Sequence, residues 1–345
     1  MRLPENQLAL IDALVSSDKK VIVVLFGGAP VELPFADKVE ATLNMYLPGQ
    51  SGGRACLNLL FGAANPSGRL AETWPLKYDD VPFGKSFAKS PVEVYKEGIF
   101  VGYRYYATAN KLVRYPFGYG LSYTKFEYSD FSVTREGDKI IASCKVKNVG
   151  KCRGAEVVQV YAGLKNSAVF RPLRELKAFK KVYLGAGQEV AVRLEIPLSE
   201  LRFWNIKAEG WQLEGGQYLI EFCTNCVSPI FGQEVDIEGE VAEGIYPDEV
   251  IKGYKNANLG KVTDGLFEKM SGIKIPPVPK LRPITLESRF STLKDAGLMG
   301  RILHSAVLGV AKKQLKEAKK LPDGIERDNK IKGRCSLKGY SKATR

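Results

Sequence analysis

Hydrophobic and polar positions divide the chain into stretches that follow different periods. In residues 5–75, Leu8, Ile11, Leu14 and Val15 recur at helical spacing, and the all-apolar, β-branched run Val21–Phe26 follows. That pairing predicts a helix feeding a buried parallel strand. The strand has to end at Gly27-Gly28-Ala29-Pro30, where the chain turns sharply. Thr42–Tyr46 is a second candidate strand, running into Pro48-Gly49. Arg54–Phe61 sets Cys56, Leu59 and Leu60 on one side, as a docked helix would, and Gly62 suits its C-cap. Two or three strands are few for a parallel sheet covered on both faces, and this unit opens on a helix with no strand before it. A bare edge strand is a form that native proteins avoid. The pattern therefore reads as half of an α/β domain, the alternative being a compact small domain with irregular structure.

Residues 127–230 change to a period of two. Candidate strands are Phe131–Arg135, Lys139–Lys147, Glu156–Leu164, Leu176–Leu184, Glu189–Ile196, Leu201–Trp204 and Gln217–Cys223. Alternation is clear in VVQVYAG and VAVRLEI, with turns at Asn148-Val149-Gly150 and Gly185-Ala186-Gly187. Seven short strands over about 100 residues form the immunoglobulin-like sandwich pattern. Beyond residue 240 the character changes again. Lys274–Ile284 (KIPPVPKLRPI) is an extended proline connector. Ala296–Leu321 is an amphipathic helix, with Leu298, Ile302, Leu303, Ala306, Val307, Val310 and Leu315 apolar and Lys312, Lys313, Lys316, Lys319 and Lys320 polar. Pro322-Asp323-Gly324 stops it, and Lys330–Arg345 is basic, poor in large apolar residues and expected to be disordered.

Charge sharpens this division. The net charge of +13 comes from 51 Lys and Arg against 38 Asp and Glu, of which residues 251–345 hold 22 and 8. The first 250 residues, with 29 basic and 30 acidic groups, are near neutral and carry no nucleic-acid signature. At 345 residues the chain is long enough for two or three domains. The N-terminal MRLPENQLALIDALV places Glu5 and Asp12 where a signal peptide needs an apolar run, so the six cysteines are expected to be reduced and the protein cytoplasmic. The longest apolar stretch, Ala296–Ala311, is broken by Arg301 and His304, so no transmembrane segment is expected.

Several ordered motifs then converge. LPxNQxxLIDAL, FGGAPVELPFAD (Phe26–Asp37), LPGQSGG (Leu47–Gly53), NPSGRLAETWP (Asn65–Pro75) and YKEGIFVGYRYY (Tyr95–Tyr106) resemble the second, α/β-sandwich domain of bacterial glycoside hydrolase family 3 β-glucosidases and its exit segment. PFGYGLSYTKFEYS (Pro116–Ser129), the VKNVG and VVQVYA segments, and RPLRELKAFKKVYL from Arg171 resemble that family's fibronectin type III-like domain. The resemblance covers about residues 3–225, and the proline connector and following helix are similar to an extension in some bacterial members. It implies α/β plus all-β architecture. Residues 1–115 would be the remainder of the α/β-sandwich domain and 116–235 the fibronectin type III-like domain. Residues 236–345 would be a Pro-rich connector, amphipathic helix and basic tail.

The resemblance implies an exo-acting, retaining β-glucosidase that hydrolyses terminal non-reducing β-D-glucosyl residues and needs no cofactor or metal. Such hydrolysis uses two carboxyl groups roughly 5–5.5 Å apart, one nucleophile and one acid/base. In the family the nucleophilic Asp sits on an N-terminal barrel, and the acid/base Glu shortly before the LPxNQ segment. Both are expected upstream of Met1, so no catalytic or substrate-binding residue is assigned within this chain. The expected partners are a β-glucoside or oligosaccharide substrate in the complete enzyme and a separate barrel-containing chain; this chain alone is expected to be inactive. The alternative function is a non-catalytic carbohydrate- or partner-binding module.

Other candidate chemistry has a plainer reading beside it. Glu97 and Glu32 lie in Gly- or Pro-bounded segments with aromatic neighbours. Glu97 would approach a sugar, or else Tyr95, Phe100, Tyr103 and Tyr105 are packing and Glu97 pairs with Arg104 or a backbone N–H. Glu5 reads as a helix N-terminal charge. Cys223 and Cys226 form a CxxC that would hold zinc only if Cys144 and Cys152 converged on it. The sole histidine, His304, lies in the tail helix, away from any nucleophile pairing. The Gly-rich turns match no phosphate loop, and the basic helix would meet acidic lipid or an acidic partner, or else present a solvated face.

Overall fold

The structure is a computed structural model that describes residues 1–87, 92–277, 290–318 and 320. The chain divides into two compact units, one of Met1–Gly84 with Tyr95–Ile273 and the other of Lys85–Val94 with Lys274–Arg345. In the first, α1 (Glu5–Val15) begins after Pro4, whose carbonyl accepts the N–H groups of Gln7 and Leu8, with Glu5 in the first turn. β1 (Ile22–Leu25) and β2 (Ala41–Asn44) pair in parallel, Ile22 opposite Ala41 and Leu25 opposite Asn44. α2 (Gly52–Leu60) follows. The predicted helix–strand order holds, but β1 is not the buried strand its composition predicts. Ile22 is 54% exposed and no residue of either strand is buried, because each has a single neighbour and one covered face. That face packs on Leu33, Phe35 and Trp74, joined by Leu8, Ile11, Val23 and Leu25.

β3 (Trp74–Pro75), α3 (Tyr103–Thr108) and β4 (Val113–Tyr115) lead to the sandwich, with Trp74 paired to Tyr115 across the antiparallel β3–β4 contact. The sandwich strands are β5 (Phe126–Glu136), β6 (Lys139–Asn148), β7 (Gly154–Leu164), β8 (Glu175–Leu184) and β9 (Glu189–Pro197). After a short hairpin of β10 (Phe203–Asn205) and β11 (Gly210–Gln212) come β12 (Gly216–Asn225) and β13 (Ser228–Ile237). One sheet runs β13-β12-β7-β8 and the other β5-β6-β9, all antiparallel. Val146, Val158, Val160, Val192, Ile196, Ile220 and Phe222 fill the space between them. β9 alternates as predicted, Val192, Leu194 and Ile196 inward and Arg193 and Glu195 outward. β7 does not: Gln159 and Tyr161 on its outer face are buried as well, and Glu156 is buried on the inner face in line with Val158 and Val160.

α4 (Asp248–Tyr254) and α5 (Asp264–Ser271) follow the sandwich. Thr263 caps α5 by accepting the Leu266 N–H, and Gly272, at φ +70°, ends it. Val250 and Tyr254 join Phe100, Tyr105, Tyr106 and Phe170 in a second, aromatic core. In the other unit, α6 (Gly297–Ala318) occupies most of the predicted Ala296–Leu321 helix. Gly300 lets its first turn approach the Leu293 carbonyl, where a Cβ would collide. Residues 278–284 of the predicted connector and the whole of Lys330–Arg345 lie outside the described residues. Among the described residues, no helix is long and apolar enough to cross a membrane.

Candidate functional site

The sequence motifs come together in space, and many of their polar side chains bond to other parts of the chain. In FGGAPVELPFAD, Leu33 and Phe35 are core, and Gly27 donates its N–H to the Tyr46 carbonyl at the ends of β1 and β2. Glu32, a candidate carboxylate, accepts the Tyr78 N–H at 2.8 Å and Arg2 Nε at 3.2 Å. Asp37 receives Arg114 through both oxygens at 2.8 Å. In LPGQSGG, Gly52 lies under the Pro48 ring, where a Cβ would come within 2.5 Å of Pro48 Cγ. That contact brings the turn directly into α2.

NPSGR is a clasp on the sandwich. Asn65 donates to the Arg153 carbonyl at 3.0 Å and accepts the Tyr123 N–H at 2.9 Å and the Ser122 hydroxyl at 3.1 Å. Ser67 Oγ accepts Lys181 Nζ at 2.9 Å. Arg69 donates to the Gly120 carbonyl at 2.9 Å and to Glu156 at 2.6 Å, and Glu156 also accepts the Tyr128 hydroxyl at 3.0 Å. The outer face of β7 is covered by other residues, from the segment before β5 and from α3. Gln159 donates to the Gly118 carbonyl at 3.1 Å, and Tyr103, stacked on Phe117 at 4.6 Å, meets Tyr161 edge-on.

YKEGIFVGYRYY is packing. Phe100 is fully buried, and the Tyr103 hydroxyl accepts the Leu176 N–H at 2.9 Å. Arg104 pairs with Glu175 at 3.4 Å, so the alternative pairing of Glu97 with Arg104 does not form. Glu97 lies beside Tyr254, whose phenol burial pushes up to about 12, with the Glu97 charge adding to it. Tyr95 is 71% exposed and joins neither group.

The CxxC cysteines are buried with Tyr161. Burial drives both thiols up to about 12, against the adjacent Arg174 charge, which makes them poor ligands and nucleophiles. Cys144 sits in the sandwich core and Cys152 at the exposed clasp, so the four do not converge. Among the described residues, no three His, Cys, Asp or Glu side chains could hold a metal. His304 lies on α6.

One carboxyl escaped the sequence reading. Glu72 and Trp74, two apart on an extended segment, both face Tyr46 at the carboxyl end of β2. Tyr46 is held at φ +49°, a left-handed conformation rare for an aromatic residue. Burial pushes the Glu72 carboxyl up, and burial followed by the Glu72 charge pushes the Tyr46 phenol up. The ETWP motif was the available signal, since it places an acid two residues before a core Trp. A folded-state pKa above the unfolded one makes Glu72 favour the protonated form. Its contribution is present below the ordinary carboxylate range and lost as pH rises through the raised value. Glu72→Gln is expected to flatten that loss, read as a smaller drop in Tm than wild type between pH 4 and pH 7.

Against known proteins, residues 1–123 match the glycosyl hydrolase family 3 C-terminal domain and residues 156–225 match the fibronectin type III-like domain. Over these domains the chain belongs to glycosyl hydrolase family 3. It is 46% identical over 225 residues to thermostable beta-glucosidase B of Acetivibrio thermocellus, covering 64% of this chain and 30% of that protein. It is 38% identical to an exo-alpha-(1->6)-L-arabinopyranosidase of Bifidobacterium longum, covering 64% of this chain and 29% of that one. The structure of a Kluyveromyces marxianus beta-glucosidase in complex with glucose superposes with a TM-score of 0.66 at 39% identity, over 69% of this chain and 29% of that one. The chain thus spans about 30% of the length of the relatives it matches. The family 3 motifs are the ones whose side chains make the clasp and the small core.

Proposed function

We propose that this chain supplies the C-terminal domains of an exo-acting, retaining β-glucosidase acting on terminal non-reducing β-D-glucosyl residues. Residues 1–115 form its share of the α/β-sandwich domain and 116–235 its fibronectin type III-like domain, with 236–345 as an extension. The nucleophilic Asp and the acid/base Glu belong to a barrel-bearing polypeptide, and the residues present here position and cover the site. The observation that carries this reading is the use to which the motif residues are put. Glu32, Asp37, Asn65, Arg69 and Glu156 are engaged in bonds within the chain. Glu72 lies beside Tyr46, and its carboxyl is pushed up chiefly by burial. Retaining hydrolysis cannot run on a single carboxyl. Half-exposed β1 and β2, with Phe26 and Leu47 exposed just beyond them, offer the parallel sheet a further strand. Five thiols are free among the described residues, which supports a reducing, cytoplasmic setting.

An aryl β-glucoside assay tests this. The chain alone is expected to give no turnover, and a barrel-bearing family 3 polypeptide added in trans to restore it. Turnover by the chain alone that vanishes on one Asp or Glu substitution would sink the reading. A second reading, a non-catalytic glycan-binding module, is favoured by Trp204 and Trp211. They face each other across β10 and β11 at 5.6 Å and are 48% and 65% exposed. Quenching of tryptophan fluorescence by cello-oligosaccharides, lost in Trp211→Ala, with no activity in trans, selects that reading.

A further inference from the structure

α6 presents three kinds of surface. Gly300, Ala311, Leu315 and Ala318 are buried. Lys312, Lys313 and Lys316 are exposed, with exposed Lys320 just past the last turn. The remaining arc is apolar and open. Met299, Leu303, Val307 and Val310, spaced by four, four and three residues, share one face, and Met299 and Val310 are 69% and 57% exposed. Leu298 and Ile302, also exposed, extend apolar surface toward the lysine side. The stripe is roughly 16 Å long at the rise of an α-helix.

We propose that α6 docks on an anionic bilayer surface, its Met299–Val310 stripe in the headgroup boundary and its lysines on the lipid phosphates. This goes beyond the glucosidase reading and does not depend on it. Charge selects the occupant. Residues 251–345 hold 22 Lys and Arg against 8 Asp and Glu, whereas the first 250 residues hold 29 and 30. The rest of the chain therefore lacks an excess of acid to meet α6, and a second copy would bring the same positive charge against it. An anionic bilayer meets both demands at once: a seat for aliphatic side chains without shape complementarity, and phosphates for lysines whose stems lie along the boundary. The helix suits that position. It carries one carboxylate, Glu317, and its exposed apolar residues are aliphatic or thioether side chains that adapt to lipid.

The test is co-sedimentation of the full chain with vesicles of 30% phosphatidylglycerol in phosphatidylcholine and with pure phosphatidylcholine. Binding is expected only to the anionic vesicles, weakening as salt screens it. Leu303→Asp with Val307→Asp, both at exposed positions, is expected to weaken binding at least tenfold with helix content unchanged by circular dichroism. Lys313→Glu with Lys320→Glu, the lysines that flank the stripe, is expected to weaken it by about fivefold per charge or more. Equal binding to both vesicles, or none, overturns the proposal. So does binding that survives the Leu303/Val307 pair, because basic residues alone would then suffice. A concentration-dependent dimer abolished by that pair, without vesicle binding, assigns the stripe to a second copy instead.

Discussion

Arg69→Met is expected to lower the unfolding free energy by about 3–5 kcal/mol, seen as a shifted urea midpoint at unchanged slope. Arg69 and Glu156 side chains are 11% and 7% exposed, and their 2.6 Å pair bridges the NPSGR segment and β7. Methionine fills similar volume but leaves the Glu156 carboxylate buried with the Tyr128 hydroxyl as its remaining donor, and strips the Gly120 carbonyl of a partner. The cost is that of an uncompensated charge rather than the worth of the pair. Arg69→Met combined with Glu156→Gln should therefore lose much less than the sum of the single variants. Arg69→Lys should not rescue fully, because one ammonium cannot reproduce the guanidinium's divergent donors to Gly120 and Glu156. A loss below 1 kcal/mol for Arg69→Met would mean that the two parts of the chain separate without unfolding, and the clasp would be no clasp.

Asn148→Leu is expected to cost a similar amount, about 3–5 kcal/mol, for a neutral reason. Asn148 is fully buried at the end of β6 and uses every hydrogen-bonding position of its amide. Its Oδ1 accepts the Thr124 hydroxyl at 2.6 Å and the Gly150 N–H at 3.1 Å; its Nδ2 donates to the Cys152 carbonyl at 2.9 Å and the Leu184 carbonyl at 3.0 Å. Leucine is close in volume but strands those groups, two of them buried. Adding Thr124→Val to Asn148→Leu should recover part of the loss, since removing both partners of a buried bond costs less than removing one. Thermal or urea unfolding of the three variants decides it, and no recovery would point to packing rather than polar satisfaction.

Asn148 also marks how far the sequence could be read. VKNVG was legible as a turn, because Asn and Gly near a strand end favour one. That the same Asn ties β6 to the segment before β5 and to the end of β8 was not, since three of those partners are distant or separated by a turn. β9 was legible because one of its faces meets the core and the other water, which writes a period of two into its residues. β7 misled, because Tyr103, Phe117 and Gly118 cover its outer face, and Gln159 and Tyr161 look polar or amphipathic whether covered or not. α4 and α5 went unread, being short helices whose burial against Phe100 and Phe170 comes from residues about 80–170 positions away. Glu72 was passed over for the opposite reason. Nothing in ETWP shows that Tyr46 approaches it, and that proximity depends on how β2 and the segment before β3 are packed.

The sequence by itself determined the helix–strand order of the first 60 residues, most of the sandwich strands, the two kinds of domain and the family, because those depend on local periodicity and on motifs whose spacing survives in one dimension. It also determined that the positive charge is concentrated after residue 250. Only the tertiary structure decided what the motif residues do. Whether Glu32, Glu97 or Arg69 faces a substrate or another part of the chain depends on which side chains folding brings within about 3 Å. Arg69 and Glu156 stand 87 positions apart, and no local pattern records their meeting. The same holds for α6: its apolar and basic residues were visible in sequence, but which of its apolar faces is buried and which stays open was set by packing alone.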